Sequence, residues 1–556
     1  MKKILFPLLS ILIILSLLLS ACSSLTGEFK KVNISIVYGS EKSAWLDPLV
    51  QKYNSEKHTS PDGSVIVVEA TPMGSIEAVD GILNGQLQPT VWSPASSIYI
   101  PVANAEWRQA HSSDLVAGTA NDLVLSPVVI AMWEPMARAL GWPDKGLGWA
   151  DIAKLAMSKE GWAAYGYPEW GSFKFGHTHP DFSNSGLVSV IAEAYAGVGK
   201  QRGLTTADLA NPDMKTLMSD VESSIIHYGS STGFFADRMF QRGPSYLSAA
   251  VIYENLVVAQ ESKRITGQSQ QLPVVAIYPS EGTFWANHPY IILDAPWVTD
   301  TQRAAAQGFE KFLLDKPQQL KALELGFRPA DPSIPLTSPL DAQHGADVSQ
   351  PKTVLEIPSA EVITGISALW EQVKKPVDLV VLIDASGSMA GDKITAARAS
   401  LMQFVDLLGD RDRLEVVVFN LDITTLTDLT PLGDKRQNVK NHISGIIEGG
   451  NTRLYDAVQF AYQELDAKGD QNHIRSIVVL SDGEDTKSDL TLDGLVNKIN
   501  TASQEGGSAV KLFTIAFGSD ADKNVLTQIA EATGGKQYDA TPENILKIYQ
   551  EIATFF

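Results

Sequence analysis

The sequence predicts an α/β protein built from two unlike modules, and three observations lead there. In the C-terminal third, continuous apolar runs alternate with amphipathic helical segments, the pattern of a parallel sheet covered on both faces. Composition also changes at Pro376: all 11 tryptophans (Trp45 to Trp370) precede it, and of 28 prolines only Pro376, Pro431 and Pro542 lie at or beyond it. Finally, a chain of 556 residues, 44% hydrophobic and 19% charged, is too long for one core and too apolar for disorder. A net charge of −20 argues against nucleic acid as a partner, and a single cysteine excludes disulfides within the chain and thiolate zinc sites.

Taken in order, the chain begins with Met1-Lys2-Lys3, an apolar stretch from Ile4 to Leu19, and Leu19-Ser20-Ala21-Cys22. An uncleaved anchor helix is one reading of such a stretch. The ending resembles a bacterial lipobox, which implies that residues 1–21 are a signal peptide and that Cys22 carries a diacylglycerol. The expectation is a protein anchored to the cell membrane by lipid on the extracytoplasmic side, with residues 22–31 as a tether. Because the body is acidic, the lipid rather than surface charge must do the anchoring.

From 32 to 375 the pattern is a strand that ends in Gly or Ser, usually followed by a helix. Val32 to Val37 alternates and runs into Tyr38-Gly39-Ser40-Glu41-Lys42-Ser43; Val65 to Val68 precedes Thr71-Pro72-Met73-Gly74-Ser75. Thr90 to Ser96 and Leu123 to Pro127 repeat the motif. Such turns aim N–H groups and hydroxyls into a cleft and suit anions or polyols. Further along stand His179-Pro180-Asp181-Phe182-Ser183-Asn184-Ser185-Gly186, Tyr253-Glu254-Asn255 and Gly326-Phe327-Arg328-Pro329. The series resembles the type II extracellular solute-binding proteins of ABC importers. That resemblance implies a two-lobed module with a ligand in the cleft. Ser40, Ser43, Ser75, Ser93 and Ser126 would come from one lobe, and Ser183, Asn184, Ser185 and Tyr253 from the other. A helix cap is the alternative role for each serine. His177-Thr178-His179 with Asp181 offers two imidazoles on one strand face and a carboxylate, to be weighed as a metal chelate against ordinary hydrogen bonding.

Residues 359–374 pattern as a helix ending at Pro376, and 376–556 form the second module. Val377 to Ile383, Val416 to Phe419, Ile474 to Leu480 and Leu512 to Phe517 read as buried strands. Ile394, Ala397, Leu401, Phe404 and Val405 share one helix face, as do Leu454, Ala457, Val458, Ala461 and Leu465. The expected fold is a doubly wound sheet, with chemistry at the carboxyl ends of its strands. There stand Asp384-Ala385-Ser386-Gly387-Ser388, Gly449-Gly450-Asn451-Thr452 and Asp482. Together they resemble the metal-ion-dependent adhesion site (MIDAS) of von Willebrand factor A domains, a Rossmann-like fold.

The resemblance implies that Ser386, Ser388 and Thr452 are neutral ligands and that Asp384 and Asp482 bind a divalent cation directly or through water. Mg2+ is the first expectation, with Mn2+ and Ca2+ as alternatives; hard cations of this kind take oxygen donors. It also implies a protein partner whose Asp or Glu completes the coordination. Capping of the following helix and turn is the competing role for these residues. Glu484 and Asp485 are expected to be solvated, with tuning of the site as their alternative role, and Asp520 and Asp522 to cap a helix. No catalytic signature stands out, so the expected protein is a binder rather than an enzyme: either an adhesion-like surface protein or the substrate receptor of an ABC permease, with the second module only regulating or positioning it.

Overall fold

The computed structural model describes residues 30–482, 485–505, 510–519, 521–533 and 535–556. Residues 1–21, expected to be a signal peptide, Cys22, most of the expected tether, Glu484 and Asp520 lie outside the described residues. From the N-terminus the strands are β1 (Lys31–Gly39), β2 (Val65–Met73), β3 (Val91–Ser93), β4 (Asn121–Asp122), β5 (Val124–Trp133), β6 (Phe175–Gly176), β7 (Ala249–Tyr253), β8 (Val274–Ile277), β9 (Trp285–Ala286), β10 (Pro289–Ile292) and β11 (Arg328–Pro329). They form two sheets. The first has the order β2-β1-β3-β10-β4; the second runs β11-β5-β7-β6, with β8 and β9 also paired to β5. These sheets are the cores of two lobes.

Alternation in β1 explains the first lobe. Val32, Ile34, Ile36 and Tyr38 point into one cluster with Trp45, Leu49 and Tyr53 of the Ser43–Glu56 helix, while Val37 joins Trp92 and Ile82 on the opposite face. Burying such side chains contributes roughly 1.5–3 kcal/mol each.

The second module contains β12 (Val377–Asp384), β13 (Arg413–Phe419), β14 (Ile423–Pro431), β15 (Ile474–Ser481), β16 (Lys511–Phe517) and β17 (Gln537–Ala540). Their order is β14-β13-β12-β15-β16-β17, parallel except for β14, which runs antiparallel to β13. The apolar run of β12 divides by parity. Val380 and Leu382 pack toward Ala457, Val458, Ala461 and Leu465 of the Leu454–Lys468 helix; Leu379, Val381 and Ile383 pack toward Ile394, Ala397, Leu401 and Phe404 of the Asp392–Leu407 helix. Both faces are covered, which is why the sequence shows no alternation there. From β12 the chain winds outward to β13 on one side and, after returning to β15, outward on the other, so the crevice between β12 and β15 is the topological switch point.

The Ala360–Val373 helix joins the modules and lies across both lobes. It packs on the Ile100–Trp107 helix of the first lobe and on the Asn184–Val198 and Pro212–Glu222 helices of the second. The C-terminus adds a second joint: the Tyr228 N–H donates to the Phe555 carbonyl at 3.2 Å, and Lys374 Nζ donates to the Phe556 carbonyl at 3.2 Å.

One residue of this joint is electrostatically costly. Lys511 of β16 is buried over the Tyr246 ring, and its ammonium is pushed down to about 7 by burial, then by Arg242, Arg238 and Lys174. The folded value lies below the unfolded one, so the unfolded chain binds the extra proton between pH 7 and 10.5. Stability from this group is therefore smallest at neutral pH and rises across that window. Lys511→Met is expected to raise the unfolding free energy by about 2 kcal/mol at pH 8, after allowance for the lost ring contact. It should also flatten the pH dependence above 7, as followed by urea denaturation across that range.

Candidate metal centre and interlobe cleft

The parallel register of β12 and β15 sets Ile383 beside Leu480, so Asp384 and Ser481 emerge together at the switch point. Asp384 is fully buried. It accepts the Ser481 hydroxyl at 2.6 Å and the Ser386 N–H at 2.9 Å. Ser386 and Ser388 stand 3.0 Å apart through their hydroxyls, and Ser388 donates to Asp482 at 2.7 Å. The Thr452 loop is strapped to this edge: Gly449 N–H donates to the Ala385 carbonyl at 2.7 Å and Gly387 N–H to the Gly450 carbonyl at 3.1 Å. Thr452 is itself buried, its N–H donating to the Thr486 hydroxyl at 3.0 Å.

Burial pushes the Asp384 carboxyl above the ordinary range; hydroxyl and N–H bonds from Ser481 and Ser386 oppose that, and the charge of Asp482 reinforces it. Two buried carboxylates beside three hydroxyls, on loops that leave Ser388 exposed, form a donor set that fits a small hard cation with a side open to solvent. Asp485, by contrast, accepts from the Ser488 N–H and hydroxyl and, at 3.4 Å, from the Tyr455 N–H at the start of the Leu454–Lys468 helix, and Asp522 accepts the Val525 N–H, so both are engaged in turns and helix starts.

Lys393 was not foreseen. Its ammonium donates to Asp482 Oδ2 at 2.5 Å, placing a positive charge on one carboxylate of the candidate donor set. It is the second residue of the helix that follows the serine loop, and that spacing was the available signal. Because the pair is partly solvent-exposed its energy is modest, so Lys393→Met is expected to raise Mg2+ affinity about threefold to tenfold, measured by calorimetric titration.

In the first module the lobes meet across the cleft. Ser40 bonds the Ser231 hydroxyl and accepts the Gly233 N–H at 3.1 Å; the Phe182 carbonyl accepts Ile76 and Glu77 N–H at 3.2 and 3.1 Å. Protein oxygens thus cap the N-termini of helices Thr232–Arg242 and Ser75–Leu83 from the opposite lobe. Ser183 and Ser185 each lie within hydrogen-bond distance of Thr232 (3.1 and 2.9 Å), and Asn184 donates to the Tyr253 hydroxyl at 3.0 Å.

Three serines have other employment. Ser43 bonds back to the Ser40 carbonyl at 2.8 Å and Ser75 accepts the Ala95 N–H at 2.9 Å. Ser126 corrects the expected lobe assignment. It lies on β5, whose following residues pair with β7, so it belongs to the second sheet, where it accepts the Asn255 N–H. The Ser93 hydroxyl has no partner among the described residues.

Sequence reading missed a buried trio beside Ser93. Lys42 Nζ donates to Glu41 at 3.0 Å and to the Ser93 and Pro94 carbonyls at 3.1 and 3.2 Å, with His288 Nδ1 at 3.2 Å. Burial pushes Glu41 up, but Lys42 and His288 overcome it and hold its carboxyl at about 2. Missed too were Ser231 and Thr232, although Ser230-Ser231-Thr232-Gly233 opens a helix just as the recognised turns do.

A two-lobed module joined to a doubly wound module with oxygen donors at its switch point defines an extracytoplasmic binding protein. The chain belongs to the bacterial extracellular solute-binding proteins, whose family model matches residues 34–328, and its C-terminal part is a von Willebrand factor type A domain, matched over 378–550. An uncharacterized protein of Mycobacterium tuberculosis is 24% identical over 533 residues, covering 87% of this chain and 71% of that one. Among solved structures, a periplasmic thiamin binding protein (10% identity, TM-score 0.44) covers 62% of this chain and 96% of its own. A von Willebrand factor type A protein from Catenulispora acidiphila (21% identity, TM-score 0.29) covers 32% and 42%. Both families are generally non-enzymatic binding modules, and type A domains typically bind a divalent cation. No helix among the described residues is long and apolar enough to cross a membrane.

Proposed function

We propose that the type A domain holds Mg2+, with Mn2+ or Ca2+ as alternatives, through Asp384, Ser386, Ser388, Thr452 and Asp482, and through it grips an acidic residue of a protein partner. The solute-binding domain encloses a small solute between Ser40, Ser93, Ser183, Asn184, Ser185 and Tyr253, and Cys22 carries the lipid that holds the protein to the membrane. The observation that carries the reading is the convergence of Asp384, Ser388 and Asp482 at the switch point, one side open to solvent. A cation held by only two carboxylates keeps its electrophilicity, and an incoming carboxylate displaces a water from it. The test is Mg2+ titration of the full chain, followed by an acidic-peptide array probed with and without chelator. Peptide signals that need Mg2+ support the reading; no binding heat with Mg2+ overturns it.

Membership in the solute-binding family favours a second reading, a substrate receptor for a permease. Its mark is one small molecule that stabilises the chain irrespective of chelator; at 100 times its dissociation constant such a ligand adds about 2.7 kcal/mol.

A further inference from the structure

A second cluster lies inside the second lobe of the solute-binding domain, remote in sequence from the type A motifs. His177 follows β6, Glu193 lies in the Asn184–Val198 helix, and Glu222 ends the Pro212–Glu222 helix. All three are fully buried, and a nitrogen or oxygen from each lies within 4.8 Å of the others. His179, which the sequence pairs with His177, falls instead into a separate group with Asp181 and Glu371.

Hydrogen bonding fixes the chemistry of the cluster. His177 Nδ1 is 2.7 Å from the Thr178 carbonyl, which only accepts, so Nδ1 carries the proton. Nε2 faces Glu222 Oε1 at 3.0 Å, a contact that needs a proton between them in the metal-free cluster and that frees the Nε2 lone pair for a cation displacing that proton; Tyr228 donates its hydroxyl to the other Glu222 oxygen at 2.6 Å. Neither oxygen of Glu193 has a hydrogen-bond partner among the described residues. A proton on Glu193 would cancel its charge yet leave its O–H without an acceptor, and an unpartnered carboxyl in a dry interior is costly. A divalent cation answers every part of this arrangement. It takes the Nε2 lone pair, balances two carboxylates and gives the Glu193 oxygens a partner. An imidazole anchored through Nδ1 to a backbone carbonyl is the support that metal-ligating histidines require.

The geometry points to a structural binding site for a divalent transition cation at His177, Glu193 and Glu222. One imidazole and two carboxylates form a donor set of intermediate hardness that suits Zn2+ or Mn2+ better than Ca2+. The ion would cross-link β6 to the two helices on which the Ala360–Val373 helix rests. Tyr228 extends the link, since its ring packs 5.4 Å from Trp370 of that helix and its N–H holds the C-terminal Phe555. On the other side Thr178, next to His177, accepts the Gly186 N–H at 2.8 Å and lies 2.7 Å from the Ser185 hydroxyl at the cleft. The site therefore stiffens the region shared by the cleft and the intermodule joint.

Zinc is the probe. The full chain, purified without metal-affinity resin and equilibrated with zinc in excess Mg2+, is expected to retain about one equivalent by mass spectrometry. Asp384→Ala should retain it equally, which separates this site from the type A one. Glu193→Gln, of equal size, should lose at least about tenfold in zinc affinity. In crystals of the wild type, anomalous difference density at the zinc edge should lie between His177 Nε2 and the two glutamates; this needs no variant and stands if Glu193→Gln fails to fold. The proposal is overturned by wild type that retains no zinc, by Glu193→Gln binding it at wild-type level, or by a water or bare proton-shared cluster in the map.

Discussion

Asp384→Ala is expected to weaken Mg2+ binding to the type A domain by at least about 100-fold, or about 2.7 kcal/mol, read by calorimetric titration of the full chain. Asp384 is one of the two carboxylates in the proposed donor set, and its burial means that little water competes for it. Folding should survive. Burial and Asp482 already raise its proton affinity, so a neutral alanine removes a charge the interior disfavours. The melting temperature without metal should be unchanged or higher, while the rise on adding Mg2+ disappears. An undiminished Mg2+ response in Asp384→Ala would remove the metal reading of this edge.

Gly233→Val is expected to keep the two lobes apart. A Cβ at Gly233 would stand 2.8 Å from Ser40 Oγ and 2.9 Å from the Glu41 nitrogen, closer than side-chain carbons approach other atoms, and both neighbours belong to the opposite lobe. Gly74→Val offers an independent check, because its Cβ would lie 2.2 Å from the Phe182 carbonyl. Each variant should show a larger radius of gyration by small-angle X-ray scattering and faster amide exchange at position 233, Ile76 and Glu77. If the closed arrangement falls from about 99% to about 1% of molecules, any solute that binds it loses about 100-fold in apparent affinity. Scattering curves identical to wild type would show that these contacts do not hold the cleft shut.

Much of this was legible before any coordinates. The strands of the type A domain could be read because both faces are covered, so every position in Leu379 to Ile383 must be apolar. The antiparallel β14 was not legible: only Leu429 along it is buried, and an edge strand facing solvent carries little hydrophobic signal. In the solute-binding domain the Gly/Ser turns marked the cleft, but a serine at a helix start is needed equally for capping. Ser43 and Ser75 take a third role: Ser43 donates to the Ser40 carbonyl before its helix and Ser75 accepts the Ala95 N–H, so neither caps its own helix.

By itself, then, the amino-acid order determined the two modules, their α/β character and the residues at the ends of β12 and β15. Those properties follow from local periodicity and from where a strand stops. Which distant groups meet was decided only by tertiary packing: Lys393 on Asp482, His288 beside Lys42, Ser126 in the second lobe, and His177 with Glu193 and Glu222 rather than with His179. Such pairings depend on how sheets and helices are set against each other in space. A charged or polar side chain carries no mark in the sequence of the partner that burial will give it.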